Sequence, residues 1–147
     1  MMTPKEIIRL GQMEIRFLLD GDDTGERMAM FEFVVPPGAK VPAPHYHEQV
    51  DEAIYGLEGA LTFTVDGRGV QIGPSDRCFV PRGAVHHFVN AGTEPTRTLA
   101  VLTPALIGPA YFREMVAVLA GGPPDPARVA EVMRRHGLIV APPGGKS

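Results

Sequence analysis

The chain predicts an all-β protein in which many short strands close into a barrel or sandwich, with a short helical extension at the C-terminal end. Two observations carry this. From residue 12 to residue 102, short β-branched and aromatic runs alternate with Gly, Pro, Asp and Asn clusters, and no segment of helical period interrupts them. After Pro104 the period changes, and apolar residues recur at helical spacing instead.

Taken in order, Gln12 to Leu19 and Arg27 to Val35 read as strands, parted by the turn-rich loop Asp20-Gly21-Asp22-Asp23-Thr24-Gly25. Pro36-Pro37-Gly38 ends the second, and the next strand carries His45 and His47. Ala53 to Leu57 and Ala60 to Val65 flank Glu58-Gly59, a tight hairpin signal. Asp66-Gly67-Arg68-Gly69 turns into Val70 to Ile72, and Gly73-Pro74-Ser75-Asp76 turns again before Cys78 to Val80. His86 to Asn90 and Thr96 to Leu102 complete the set. In the early strand, Met28, Met30 and Val34 alternate with Ala29, Phe31, Phe33 and Val35, so both of its faces call for cover. A second subunit, making a homodimer, is the expected cover; the chain's own C-terminal helices are the alternative.

Phe112, Met115, Val116 and Leu119 make Pro109 to Ala120 an amphipathic helix, and Gly121-Gly122-Pro123-Pro124 breaks it. Asp125 is a good N-cap with Pro126 at the first helical position, and Val129, Val132 and Met133 form the stripe of a second helix. Gly137 ends that helix, with Leu138 placed to fold back on its last turn. The expected division is a barrel over residues 1–106 and a helical extension over 107–147, packed on its outside or beside one mouth.

Composition bounds the function. A chain of 147 residues, 44% hydrophobic and 21% charged, is an ordinary globular domain. A net charge of −3 with scattered Lys and Arg leaves no footprint for nucleic acid. The opening Met-Met-Thr-Pro-Lys-Glu lacks the apolar core of a secretory signal, and no run reaches membrane-spanning length. The single Cys78, in a strand, reads as a small buried hydrophobe and fits a reducing cytoplasm, the expected location.

The chemistry lies in two short stretches. In His45-Tyr46-His47, alternate residues share one face of a strand, so both imidazoles can aim at one centre. Glu52 follows His47 by five residues, an odd step that needs a bulge or turn through Glu48-Gln49-Val50-Asp51 to reach the same centre. The second stretch, Pro81-Arg82-Gly83-Ala84-Val85-His86, brings a third imidazole from what reads as a neighbouring strand. Polar groups gathered inside a small barrel are costly without a partner, and a cation supplies one. Three imidazoles and a carboxylate suit one divalent transition metal (iron, manganese, nickel, zinc or copper) rather than calcium or magnesium. By strand parity Ile54, Gly56 and Phe88 share the ligands' face as pocket residues, with Gly56 opening space beside the metal. His87 should face away, and His136, near Arg134 and Arg135 at a helix end, is no ligand.

These stretches resemble the cupin superfamily. Its first motif is Gly, five residues, His-x-His, three or four residues, Glu, six residues, Gly. Gly38, His45, His47, Glu52 and Gly59 follow it with one extra residue after Gly38. The second motif is matched by Pro81, Gly83, His86 and Asn90, with Ser75 where its opening Gly belongs. The resemblance implies a double-sheet jelly roll, which buries its strand edges. It implies His45, His47, Glu52 and His86 as metal ligands, and Glu52 as a proton acceptor able to leave the metal. The tail resembles, more loosely, that of small bacterial cupins described as quercetin dioxygenase-like. The implied activity is that of a dioxygenase or related metalloenzyme acting on a small enolic or aromatic substrate. A metal-dependent small-molecule sensor and a cupin isomerase or lyase are the alternatives, the latter calling for inward Lys or Arg.

Overall fold

The computed structural model describes residues 3–142. Eleven strands and three helices are defined among them: β1 Glu6–Leu10, β2 Met13–Leu19, α1 Gly21–Thr24, β3 Ala29–Val35, β4 His45–His47, β5 Asp51–Glu58, β6 Leu61–Val65, β7 Arg68–Ile72, β8 Arg77–Val80, β9 His86–Val89, β10 Thr96–Thr103, α2 Pro109–Leu119, α3 Pro126–Arg135 and β11 Leu138–Val140. Two antiparallel sheets face each other, ordered β1-β2-β3-β10-β5-β8 and β11-β4-β9-β6-β7. This is the jelly-roll sandwich the sequence leads one to expect.

Alternation builds the interior. Ile15 and Phe17 on β2, Ala29, Phe31, Phe33 and Val35 on β3, and Ala100 and Leu102 on β10 are buried, while their neighbours are only half covered. Leu61, Phe63 and Phe88 meet them from the other sheet, with Phe88 5.6 Å from Phe33 and 5.5 Å from Phe63 between ring centroids. Asn90 locks the 91–95 loop onto β3: its amide donates to Val35 O and Glu94 O, both at 2.8 Å, and its carbonyl accepts from Gly92 N.

The structure departs from the sequence expectations at four places. Glu6–Leu10 is a strand, β1, turning through Gly11 (φ +61°) to pair with β2, so the strands begin earlier than Gln12. The loop at 20–25 contains the one-turn helix α1, because Asp20 caps it and Asp23 returns a bond to the Asp20 N–H. Glu58-Gly59 is no hairpin: β5 and β6 belong to different sheets, and the chain changes sheet there. Gly59 (φ +69°) fits because a side chain would press on the Pro95 carbonyl and Thr96. Beyond Gly137, Leu138 also begins a strand that the sequence reading did not include. It opens β11, which pairs with β4 in the register Leu138↔His47 and Val140↔His45 and so covers the edge of the strand bearing two histidines.

The extension therefore belongs to the barrel wall. α2 packs beside β1 and lays Tyr111, Phe112 and Met115 over one mouth, and Arg113 pairs with Glu6. The outer face of β3 is left to the residues it carries. Glu32 sits there between Met30 and Val34, paired with Arg97 at 3.2 Å, and Arg97 reaches Glu58 at 2.8 Å. Further along the same sheet Tyr55 and Phe79 are exposed at 42% and 58%. Among the described residues no helix is long and apolar enough to cross a membrane.

Candidate metal centre

His45 and His47 lie on β4, both inward, as strand parity requires. His86 opens β9, directly across the ladder from His45. The three rings have ligand nitrogens within 4.8 Å of one another, all buried. The metal-competent cluster is the three histidines; Glu52 comes from the opposite sheet, so the candidate ligands span three strands and both sheets rather than two neighbouring strands. No bulge is needed. Glu48, Gln49 and Val50 carry the chain from one sheet to the other, and Glu52 then points inward across the sandwich. Glu52 Oε1 stands 3.8 Å from His47 Nδ1 and 3.8 Å from His86 Nε2.

Hydrogen bonds orient two of the rings. His45 Nδ1 donates to Ala43 O at 2.8 Å and His86 Nδ1 to Ala84 O at 2.9 Å, which leaves each Nε2 lone pair for the centre. His47 Nδ1 is buried with no hydrogen-bond partner. Burial, and then the neighbouring imidazoles, push His45 down to about 4 and His47 to about 2, and burial lowers His86 as well. All three are neutral at pH 7, the form a metal needs. Burial drives Glu52 up to about 7, with no cationic partner to hold it ionised. An orphaned imidazole nitrogen and an unpaired buried carboxyl, converging with two pre-oriented imidazoles, fit a divalent cation of the transition series.

The cavity above these groups is about 60 Å³, roughly room for two waters. It is lined by Phe31, Phe33, Phe63 and Phe88 from the barrel and by Tyr111, Phe112 and Met115 from α2. Its remaining walls are aliphatic, proline or methionine side chains. Of the residues named as pocket candidates, Phe88 lines it. Ile54 and Gly56 do not. Ile54 is core, and Gly56 has a different task. A Cβ there would collide with the Gly73 carbonyl, and the strand and turn are laced by Gly56 N to Asp76 O (2.8 Å) and Ser75 N to Gly56 O (2.9 Å). Parity put Gly56 on the right face, but it lies too far along β5 to reach the centre. Sequence reasoning missed the other lining residues, among them Phe31, Phe33 and Phe63 of the barrel, Leu138 and those of α2, whose apolar stripe was visible, but not what it covers. His87 points away, as alternation requires, and His136 contacts Glu114 at 3.2 Å, remote from the centre. Cys78 is half-buried, and burial and then Glu52 push its thiol up to about 11.

Comparison with known proteins agrees with this architecture. The cupin domain model matches residues 31–102. Quercetin 2,3-dioxygenase of Bacillus subtilis is 36% identical over 80 residues, 54% of this chain but only 23% of that enzyme's length. A crystal structure described as a predicted oxalate decarboxylase from Thermotoga maritima superposes with a TM-score of 0.61 at 29% identity, covering 69% of this chain and 92% of that one. A sugar phosphate isomerase of the same superfamily from Silicibacter pomeroyi gives a TM-score of 0.54 at 32% identity, over 62% and 59% of the two chains. With its double-sheet barrel, both histidine motifs and these relatives, the chain belongs to the cupin superfamily.

Proposed function

We propose that this protein is a metal-dependent oxygenase of the dioxygenase type. It would hold a small enolic or aromatic substrate through its oxygens at a centre made by His45, His47, His86 and Glu52. The observation that carries the reading is the chamber itself. Beyond the four candidate donors, Tyr111 is the one polar residue among the described residues of an otherwise apolar lining, which includes no Lys or Arg. A sugar or keto acid would leave its hydroxyls and charge without partners there, which disfavours the isomerase alternative. The likeness to a quercetin dioxygenase supports the same choice.

When bound, a divalent ion lowers the pKa of a coordinated hydroxyl. The chain's own residues do the rest. Glu52, aimed into the centre, would take the hydroxyl proton and return it. The phenylalanines exclude water from the reacting oxygens. The cavity is smaller than the roughly 150 Å³ of an apolar pocket that holds benzene, and we expect the α2 wall to yield when a ring enters.

The test is kinetic. Iron-, manganese- or nickel-loaded protein should shift the absorption of catechol and consume oxygen with it. Glu52→Gln should keep most of its metal on three imidazoles and lower kcat by about 10²–10⁴ while changing ligand affinity much less. Loaded protein that neither perturbs catechol nor consumes oxygen would favour a sensor.

We further propose that two copies associate through the outer face of the β3-β10-β5-β8 region, isologously. On this face Arg97 bridges Glu32 and Glu58, Arg77 opposite Tyr55 adds a second cation, and self-association would cover the exposed Tyr55 and Phe79. Sedimentation at micromolar concentration should report a dimer that Phe79→Glu dissociates. A monodisperse monomer of the unaltered chain would overturn this.

A further inference from the structure

The ladder between β5 and β8 ends at the pair Glu52↔Val80. The chain must then cross from one sheet to the other before His86 opens β9, and three ties hold that crossing. The Arg82 N–H donates to Asp51 Oδ1 at 2.9 Å, while its guanidinium donates from Nε to Oδ1 at 3.3 Å and from Nη2 to Oδ2 at 3.2 Å. The Gly83 N–H donates to the His47 carbonyl at 2.8 Å, where Gly83 takes φ +86°. Val85 N donates to Asp66 Oδ1 at 3.0 Å, and Asp66 N to Val85 O at 2.8 Å.

Each tie falls on or beside a residue of the centre. Asp51 precedes Glu52, His47 is itself a candidate ligand, and Val85 precedes His86. Outside the centre, the Asp51–Arg82 pair is the one ion pair among the described residues that joins two segments carrying candidate ligands. It takes over where the β5–β8 ladder stops. We propose that Asp51 and Arg82 are positioning residues for the metal centre, clamping the sheet that presents Glu52 to the loop that presents His86. The proposal rests on the metal-centre reading above.

Tolerance explains why such a clamp matters. Metal–nitrogen and metal–oxygen bonds are about 2.0–2.2 Å, and a shift of roughly half an ångström between sheet and loop spoils a productive donor set. A simple surface ion pair would not do this, because two mobile side chains gain little from meeting in water. Here one carboxylate receives a backbone N–H as well as both arms of a guanidinium, so the loop's main chain is fixed and not merely its side chain.

The test compares Asp51→Ala, Arg82→Ala, the double variant and Asp51→Asn with the unaltered protein. Three quantities are measured: affinity for Zn²⁺ and Mn²⁺ by competition, the d–d spectrum of the Co²⁺-loaded form, and metal-free melting temperature. Asp51→Ala and Arg82→Ala should each weaken metal binding about 10–100-fold and alter the cobalt spectrum. Metal-free melting should move by less than about 4 °C. The double variant should be no weaker than the worse single one, and Asp51→Asn, which keeps the backbone acceptor but loses the charge, should fall between. Unchanged affinity and spectrum in Asp51→Ala, beside an unaltered protein that binds metal, would overturn the clamp alone. So would a large fall in metal-free melting that parallels the loss of affinity. An unaltered protein that takes up no metal would instead overturn the centre on which the clamp depends.

Discussion

Replacing His47 with alanine is expected to empty the centre of metal while leaving the metal-free fold standing. His45 and His86 each have a backbone carbonyl to hold their second nitrogen, whereas His47 presents a buried Nδ1 that nothing among the described residues satisfies. The substitution therefore orphans no protein group. It removes one of only four donors, and loss of even an outer partner costs about 10–100-fold in affinity, so the drop should exceed about 100-fold. Elemental analysis should find close to one transition-metal ion per unaltered chain and little in His47→Ala. At a free metal concentration about 100 times Kd, the unaltered protein should gain about 2.7 kcal/mol, roughly 5–10 °C in melting temperature, and the variant almost none. Unaltered protein that contains no metal and does not respond to added iron, nickel, manganese or zinc would refute the assignment.

Phe112→Ala should be the most damaging change outside the centre. The ring is buried on α2 with its centroid 5.8 Å from Phe17, 5.5 Å from Phe31 and 6.1 Å from Phe33, so it joins the helix to the inner face of the larger sheet. Truncating a buried phenylalanine costs about 3–5 kcal/mol, here about 6–20 °C in melting temperature. The same change enlarges a chamber of about 60 Å³, so metal-loaded Phe112→Ala should bind catechol faster than the unaltered protein. Denaturant titration and stopped-flow absorbance check the two halves separately. A loss under about 1 kcal/mol would mean that α2 is not part of the barrel's core. Catechol entry at an unchanged rate would mean that α2 does not limit access.

The sequence alone determined what depends on neighbours in the chain. Alternation placed His45 and His47 on one face, turned His87 away and set the inner residues of β2, β3 and β10, because the period of a strand is local. Capping chemistry placed α3, where Asp125 Oδ1 accepts from Ala127 N at 3.0 Å, because a cap involves residues two or three apart. The motif spacings led to the superfamily and to the three histidines that the structure brings together.

Only the tertiary structure decided which strand meets which. Glu58-Gly59 has hairpin composition, yet the strands on either side join different sheets, since β5 pairs with β10 and β8, both farther along the chain. Glu52 reaches the histidines by crossing the sandwich rather than by resetting register within one strand. Gly56 shares their face but serves the approach of the Gly73 turn, because parity specifies a side and not a distance along the strand. The tail likewise showed two amphipathic helices without showing that α2 roofs the chamber or that β11 seals the edge of β4. Each of these is a contact between residues remote in sequence, selected by how two sheets and a helix together exclude water from one apolar interior, and no local period encodes that choice.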